Sequence, residues 1–181
     1  GNLELLREEC DSPQLETIAT AHDRMATITE TTLKLARAGQ EIDDLEPVAV
    51  SAVIERAWEM VESPDATLRV EEAPTIHADE TWLQTLLENL FQNAIKHGGD
   101  GVTVSFDTLA NGFHVSDTGP GIREADHEAI FDPGCSTAED GPGFGLRIVE
   151  NIIEAHGWQM TVTESDQGGA RFEVTSVEFA E

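Results

Sequence analysis

An amphipathic stretch from Trp82 to His97 constrains the fold of this chain more than any other part of its sequence. Its apolar residues recur at the three- and four-residue spacing of a helix with one buried face. The residues on that face are Leu83, Leu86, Leu87, Leu90 and Ala94. We therefore expect a helix that packs one side into a hydrophobic core.

A second set of residues lies along one edge of the same helix. Asn89 and Asn93, followed by Lys96 and His97, stand at positions i, i+4, i+7 and i+8, so they share one strip beside the apolar face. Amide oxygens suit a hard cation such as Mg²⁺, and cationic side chains suit phosphate oxygens. The strip could hold a metal-bound polyphosphate, although a solvated edge is the commoner explanation of such a pattern.

The composition limits the partners that the chain can have. Of its 181 residues, 36 are acidic and 10 are Lys or Arg, giving a formal net charge of −26, while 39% are apolar, enough for an ordinary core. This charge repels nucleic acid and anionic membranes, so we expect neither as a partner. It resembles the acidity of proteins from salt-loving microbes, where a Debye length of about 3 Å at molar salt weakens self-repulsion.

Cysteine usage and hydropathy predict a cytoplasmic segment. Cys10 and Cys135 lie far apart in a chain with two cysteines, a pattern typical of a reducing compartment. No apolar run reaches the roughly 18 residues of a membrane span, and no signal peptide is visible. The chain begins at Gly1 without Met and already in a helical pattern, so we expect it to be a piece of a longer protein.

The sequence predicts part of a helical hairpin in residues 1–40 and a second domain in residues 41–181. A helix ends near Cys10, and Asp11-Ser12-Pro13 supplies the N-cap and first turn of the next, which continues to Gly39. Two helices alone bury too little apolar surface to be stable. The apolar seam of the hairpin therefore predicts a homodimer interface.

The second domain alternates helices with short strands. Helices are expected at Val48–Glu62, Trp82–His97, Glu124–Ile130 and Phe144–His156. Strands are expected at Ala66–Val70, around Ile76, Gly101–Asp107, Gly112–Ser116, Gln159–Glu164 and Ala170–Val177, with a hairpin turn at Leu109–Gly112 and another at Gln167-Gly168-Gly169. This order predicts an α+β fold, a two-layer α/β sandwich with helices on one face of a mixed, largely antiparallel sheet.

Two glycine clusters follow the polar helix. Asp117 opens the first, DTGPGI, at a strand end, where a carboxylate can accept a hydrogen bond from an exocyclic amine such as N6 of adenine, although such a sequence alone is more often a tight turn. The second, GPGFGL at Gly141–Leu146, runs into a helix whose N-terminal N–H groups suit phosphate, but it lacks Walker or Rossmann spacing. The loop between them has the composition of a mobile lid.

Four segments of this chain closely resemble, in order, the N, G1, F and G2 boxes of sensor histidine kinases. They are LLENLFQNAIKHG, SDTGPGI, IFDPGCST and EDGPGFGLRIVENI. The ATP-binding domain of that family has the Bergerat (GHKL) fold shared with gyrase, Hsp90 and MutL. The resemblance runs from Leu45 to the C-terminus, and residues 2–39 resemble part of the family's dimerisation and phosphotransfer hairpin. It implies an ATP-dependent protein histidine kinase of a two-component system, with a response regulator receiver domain as its partner.

The resemblance also implies one Mg²⁺-ATP site built from all four boxes. By position, Asn93 would bind Mg²⁺ through its side-chain oxygen, and Asp117 would bind N6 of adenine. Asn89, Lys96 and His97 would contact the phosphates, with Asn89 and Lys96 as the catalytic candidates. The base pocket and lid would use Gly119, Gly121, Ile122, Gly141, Gly143, Phe144, Gly145 and Leu146, with Phe131 at the lid base.

Asn89 bears on the type of reaction. Gyrase and Hsp90 carry a Glu there as the base that activates water, whereas an amide cannot take a proton. Slow hydrolysis and transfer to another nucleophile are therefore expected. Glu88 lies about 100° around the helix from Asn89 and is expected to be solvated.

The acceptor histidine is expected upstream of Gly1. His22-Asp23 comes nearest to the family's acceptor motif, but Thr27 stands where Pro is required, and its place on the apolar seam favours core packing. Pro142 also replaces the usual Thr or Ser between the first two lid glycines and removes an N–H donor. An alternative is therefore a nucleotide-sensing dimerisation module with a degenerate ATP site and no kinase activity. A third class is a gyrase-like or Hsp90-like ATPase, which Asn89 disfavours.

Overall fold

The structure, a computed structural model, describes residues 45–61, 65–123 and 145–180. The hairpin predicted for residues 1–40 and the helix predicted for 124–130 lie outside the described residues. So does the lid loop with Phe131, Gly141, Gly143 and Phe144. These predictions stay predictions.

The described residues form three helices and seven strands. In chain order they are β1 (Glu46–Ala49), α1 (Val50–Glu59), β2 (Thr67–Val70), β3 (Thr75–Ala78), α2 (Glu80–Gly98), β4 (Thr103–Leu109), β5 (Gly112–Asp117), α3 (Gly145–Ala155), β6 (Gln159–Glu164) and β7 (Ala170–Thr175).

Five strands make one mixed sheet in the order β2-β4-β5-β7-β6. β2 runs parallel to β4, and every other pair in this sheet is antiparallel. β4 and β5 form the predicted hairpin, with Leu109 opposite Gly112. One face of the sheet is apolar and buried under the helices; its residues include Val104, Phe106, Phe113, Val115, Phe172 and Val174. The predicted α+β architecture, a mixed sheet covered by helices, is confirmed.

The start of this domain differs from the prediction. The helix expected from Val48 begins at Val50, because the four residues before it form β1 and pair antiparallel with β3. In that pairing Val48 stands opposite Ile76, and both side chains are buried. The apolar run in the sequence therefore contains a strand followed directly by a helix. The two strands expected on either side of Pro74 also belong to different sheets, β2 to the larger and β3 to the smaller.

α2 is the central element of the helical layer and packs against both α1 and α3. Its five predicted core residues are all buried, as is Phe91, which the predicted stripe omitted. The Phe91 ring meets Trp58 edge to face with the ring centroids 5.5 Å apart. The N-terminus is capped by Asp79, which accepts a hydrogen bond from the Trp82 N–H at 3.0 Å. Because α2 lies between two helices and the sheet, its polar edge is held in one orientation.

Candidate functional site

Asp117 ends β5 and is 8% exposed. Its Oδ1 accepts hydrogen bonds from the N–H groups of Gly119, at 2.8 Å, and Ala170, at 3.2 Å. Burial raises the pKa of the Asp117 carboxyl above its ordinary value, while these two hydrogen bonds and the charge of His97 act in the opposite direction. The carboxylate is thus fixed in place through one oxygen.

The turn between β6 and β7 bonds to the backbone of Asp117. The Ser165 hydroxyl donates to the Asp117 carbonyl at 2.8 Å and accepts from the Gly169 N–H at 2.9 Å. Gly169 packs so closely that a Cβ built on it would lie 2.0 Å from the same carbonyl oxygen. The sequence predicted this segment only as a hairpin turn. The paired glycines before a strand were a signal of close packing, but the sequence did not identify Asp117 as the neighbour.

The predicted glycines of the first cluster have distinct surroundings. Gly119 lies against the end of α2, where an added Cβ would come within 2.6 Å of the Gly98 Cα. Gly121 has a φ of +73°, and an added Cβ would lie 2.8 Å from the Gly168 carbonyl oxygen. Ile122 is partly buried and packs against the core. Both glycines therefore allow backbone contacts that a larger residue would prevent, and Gly98 is a neighbour that the predicted site residues did not include.

One residue of the polar strip of α2, Asn89, points towards α3. Asn89 donates from Nδ2 to the Thr85 carbonyl at 2.7 Å, and its Oδ1 lies 3.2 Å from a Cβ built on Gly145, the first residue of α3. Asn93 is partly buried one turn later, while Lys96 and His97 are exposed in the last turn. The last turn of α2 lies beside the end of β5, since Gly119, two residues after Asp117, is in close contact with Gly98.

The start of α3 is the described part of the second glycine cluster. Gly145 begins the helix and Leu146 packs, partly buried, against the core. The structure therefore brings Asn89 to the start of α3, and Asp117 and Gly119 to the end of α2. The other predicted residues of this cluster, Gly141, Gly143 and Phe144, lie outside the described residues.

His156 connects the C-terminal end of α3 with the N-terminal end of α2. His156 Nδ1 lies 2.8 Å from the Ile152 carbonyl, and its Nε2 accepts the Asp79 N–H at 3.2 Å. The ring stacks on Trp158 with centroids 4.1 Å apart. Burial lowers the pKa of His156, so the neutral ring that these bonds require is favoured. The end of α3 is thereby tied to the residue that caps α2.

Comparison with known proteins identifies the class. The chain belongs to the histidine kinase-, DNA gyrase B- and HSP90-like ATPase family, whose sequence model matches residues 78–180. The relatives described below are sensor kinases, so the described residues are those of a histidine kinase ATPase domain.

Two curated relatives cover most of the chain. The adaptive-response sensory kinase SasA of Synechococcus sp. (strain JA-2-3B'a(2-13)) is 33% identical over 141 residues, which cover 71% of this chain and 37% of SasA. The sensor histidine kinase ZraS of Escherichia coli O157:H7 is 36% identical over 140 residues, which cover 71% of this chain and 30% of ZraS. The chain therefore spans about a third of the length of these relatives.

A solved structure agrees with the fold. The crystal structure of full-length ShkA in complex with AMPPNP is 28% identical in sequence and superposes with a TM-score of 0.73. The match covers 92% of this chain and 39% of the ShkA chain. Within the described ranges of the present chain, no helix is both long and apolar enough to cross a membrane.

Proposed function

We propose that this chain is the ATP-binding catalytic domain of a sensor histidine kinase. In the intact protein it would bind Mg²⁺-ATP and pass the γ-phosphoryl group to a histidine, for relay to an aspartate of a response regulator. The single observation that supports this best is the buried Asp117 carboxylate, held through Oδ1 at the end of β5.

The Asp117 geometry fits an exocyclic amine. Both hydrogen bonds that the described residues donate to the carboxylate end on Oδ1, so Oδ2 is left to accept one from a ligand. Adenine presents an N–H donor at its 6 position, whereas guanine presents a carbonyl that a carboxylate would repel. Burial of the carboxylate costs free energy, and a hydrogen bond from an amine to its second oxygen would offset part of that cost, which favours an amine over a carbonyl.

The phosphates would lie along the polar strip of α2. Asn93 would hold Mg²⁺ by its side-chain oxygen, the hard donor type that this ion prefers. When bound, Mg²⁺ would neutralise charge on the phosphate oxygens. Lys96 would add positive charge at the exposed end of the helix, and His97 would contact the phosphates beside it. In a chain with a net charge of −26, this local collection of positive charge is what an anionic ligand requires.

Asn89 favours phosphoryl transfer over hydrolysis. Its amide nitrogen is already committed to the Thr85 carbonyl, so its oxygen faces the start of α3 and can orient a ligand there. An amide cannot remove a proton from water, so water is not activated at this position. Catalysis would then rest on positioning the phosphoryl group for another nucleophile.

Calorimetric titration of ATP at molar KCl, with and without Mg²⁺, tests the binding part of the proposal. We expect ATP to bind more tightly with Mg²⁺, and we expect Asn93→Ala to remove most of that difference. Gln92→Ala is the matched control, because Gln92 is the neighbouring amide on α2 and is exposed. Absence of ATP binding would instead support a degenerate, non-catalytic module, and appreciable steady-state hydrolysis would support an ATPase.

Phosphate transfer is tested separately. Of the four described histidines, His114 and His156 are buried and His77 is partly buried within β3. The fourth, His97, is exposed, but the proposal assigns it to the phosphates, so the acceptor is placed elsewhere. His22 lies outside the described residues and lacks the motif Pro. We expect this chain, incubated with Mg²⁺-ATP, to accumulate no acid-labile, base-stable phosphate. Accumulation that His22→Gln abolishes would contradict that assignment while leaving ATP binding intact.

A further inference from the structure

The β6–β7 turn makes two separate hydrogen bonds to Asp117 at the end of β5. Ser165 bonds to the Asp117 carbonyl and to the Gly169 N–H, and Ala170 donates its N–H to Asp117 Oδ1. The turn is closed by two further bonds, from the Ser165 N–H to the Gly169 carbonyl at 2.7 Å and from the Gly168 N–H to the Ser165 carbonyl at 2.9 Å. These contacts link two segments that are 48 residues apart in sequence.

The Ser165 hydroxyl is the one side-chain group among these connections apart from the Asp117 carboxylate itself. It is buried, with the residue 8% exposed, and it both donates and accepts. Removing it would leave the Asp117 carbonyl and the Gly169 N–H without this shared partner in a place that water enters poorly. The peptide that presents the Ala170 N–H to Asp117 Oδ1 would then lose its support.

We infer that Ser165 is a positioning residue for base recognition, which holds the Asp117 carboxylate with Oδ2 directed towards the exocyclic amine of the nucleotide. The inference rests on the proposed function, in which Asp117 binds the base. Ser165 does not touch the nucleotide; it acts through the Asp117 backbone and through the Gly169–Ala170 peptide. Its contribution should therefore depend on the presence of the 6-amino group in the ligand.

The test compares two nucleotides in the full chain. ATP and purine riboside triphosphate, which has hydrogen in place of the 6-amino group, are titrated into the wild type and Ser165→Ala with Mg²⁺ at molar KCl. We expect Ser165→Ala to weaken ATP binding by about tenfold, the usual effect of one lost buried hydrogen bond. We expect its affinity for purine riboside triphosphate to stay within about twofold of the wild-type value, because Asp117 has no amine to meet there.

Two further variants keep the outcome clear. Ser116→Ala removes a hydroxyl next to Asp117 on the opposite face of β5, whose alternation places Phe113, Val115 and Asp117 inside, and it should bind both nucleotides like the wild type. Ser165→Cys keeps the shape of the side chain but forms weaker hydrogen bonds. It should weaken ATP binding by a smaller factor, about threefold, and it takes the place of Ser165→Ala if thermal unfolding shows that the alanine variant does not fold.

The results separate this inference from the proposed function. Equal weakening for both nucleotides would overturn the inference, because it would indicate a general loss of site structure. Unchanged ATP binding in Ser165→Ala would overturn it as well. If the wild type does not bind ATP, or binds it equally well after Asp117→Asn, the proposed function fails and this inference fails with it. If binding depends on Asp117 but not on Ser165, the inference alone is wrong.

Discussion

At the scale of single residues, Asp117 is a position where stability and ligand binding oppose each other. Burial raises the pKa of its carboxyl, so its contribution to folded stability is present below the unfolded pKa and is lost as the pH rises through the folded pKa. At neutral pH the ionised group therefore disfavours the folded state. A buried carboxylate that lowers the stability of the folded state is consistent with a role in ligand binding, because groups with shifted pKa values concentrate at functional sites.

Gly169 provides a test of how closely the supporting turn must pack. A Cβ there would lie 2.0 Å from the Asp117 carbonyl oxygen and 2.4 Å from Oδ1, so the backbone of Gly169→Ala has to move away. We expect this variant to lose stability by about 1–3 kcal/mol, as overpacked sites do, and to lose ATP affinity.

Gly168→Ala is the control for that experiment. Gly168 has a φ of +89°, but an added Cβ would meet nothing within 4 Å. This substitution should cost about 1 kcal/mol in backbone strain and leave ATP binding near the wild-type level. Chemical denaturation and calorimetry measure the two effects. Equal loss of ATP affinity in both variants would show that the close contact at Gly169 is not what matters.

At the scale of secondary structure, α2 was predicted from the sequence almost completely. Its apolar period and its polar edge are properties of one continuous segment, so local spacing was sufficient to place them. Phe91 was omitted because the predicted apolar face was too narrow. A helix with neighbouring helices on both sides buries a wider part of its circumference. Val48 and Ala49, the second half of β1, were assigned to the following helix, because β1 becomes a strand only through pairing with β3, more than twenty residues later.

The supporting part of the site could not be predicted in this way. Asp117 and Gly119 carry a local motif, whereas Ser165 and Ala170 meet Asp117 because β7 lies beside β5 in the sheet. That adjacency depends on strand order, which no local spacing encodes. The family resemblance pointed to the residues proposed to face the ligand, but not to the residues that hold them.

The connection between α2 and α3 through His156 predicts a pH dependence. The pKa of His156 is lowered from 6.5 by burial, although the Ile152 carbonyl and Asp79 act in the opposite direction. The bond from the Asp79 N–H to Nε2 requires a neutral ring, so its contribution to stability is present above the unfolded pKa of 6.5 and is lost as the pH falls through the lower folded pKa.

The test is the difference in free energy of unfolding between the wild type and His156→Phe, measured from pH 8 to pH 5. Phe keeps an aromatic ring against Trp158 but cannot accept the Asp79 N–H. We expect the wild type to be more stable by about 1 kcal/mol above pH 7, with the advantage shrinking as the pH falls. A difference that stays constant across this range would contradict the predicted role of the neutral ring.

At the scale of the whole molecule, the formal net charge of −26 should make stability depend on salt. Self-repulsion among carboxylates is screened as the Debye length falls from about 10 Å at 0.1 M salt to about 3 Å at 1 M. We expect the melting temperature to rise by several degrees, on the order of 5 °C, between 0.1 M and 1 M KCl.

A charge variant provides the comparison for the salt experiment. Glu55 and Glu59 are exposed on α1, so Glu55→Lys combined with Glu59→Lys makes the net charge less negative without changing the core. The melting temperature of this variant should rise less with KCl than that of the wild type. A wild-type melting temperature that does not change below 1 M KCl would contradict the interpretation of the acidity.

The most direct test of the proposed nucleotide site is Asp117→Asn, titrated with ATP by calorimetry in Mg²⁺ and molar KCl. Asn retains an oxygen for the Gly119 and Ala170 N–H groups but places an N–H₂ donor where Oδ2 would meet the adenine amine. We predict at least about a tenfold loss of ATP affinity, with thermal stability equal to or above that of the wild type, while Asp100→Asn, in the exposed turn after α2, binds normally. ATP binding that survives Asp117→Asn unchanged would contradict the assignment of this carboxylate to the base.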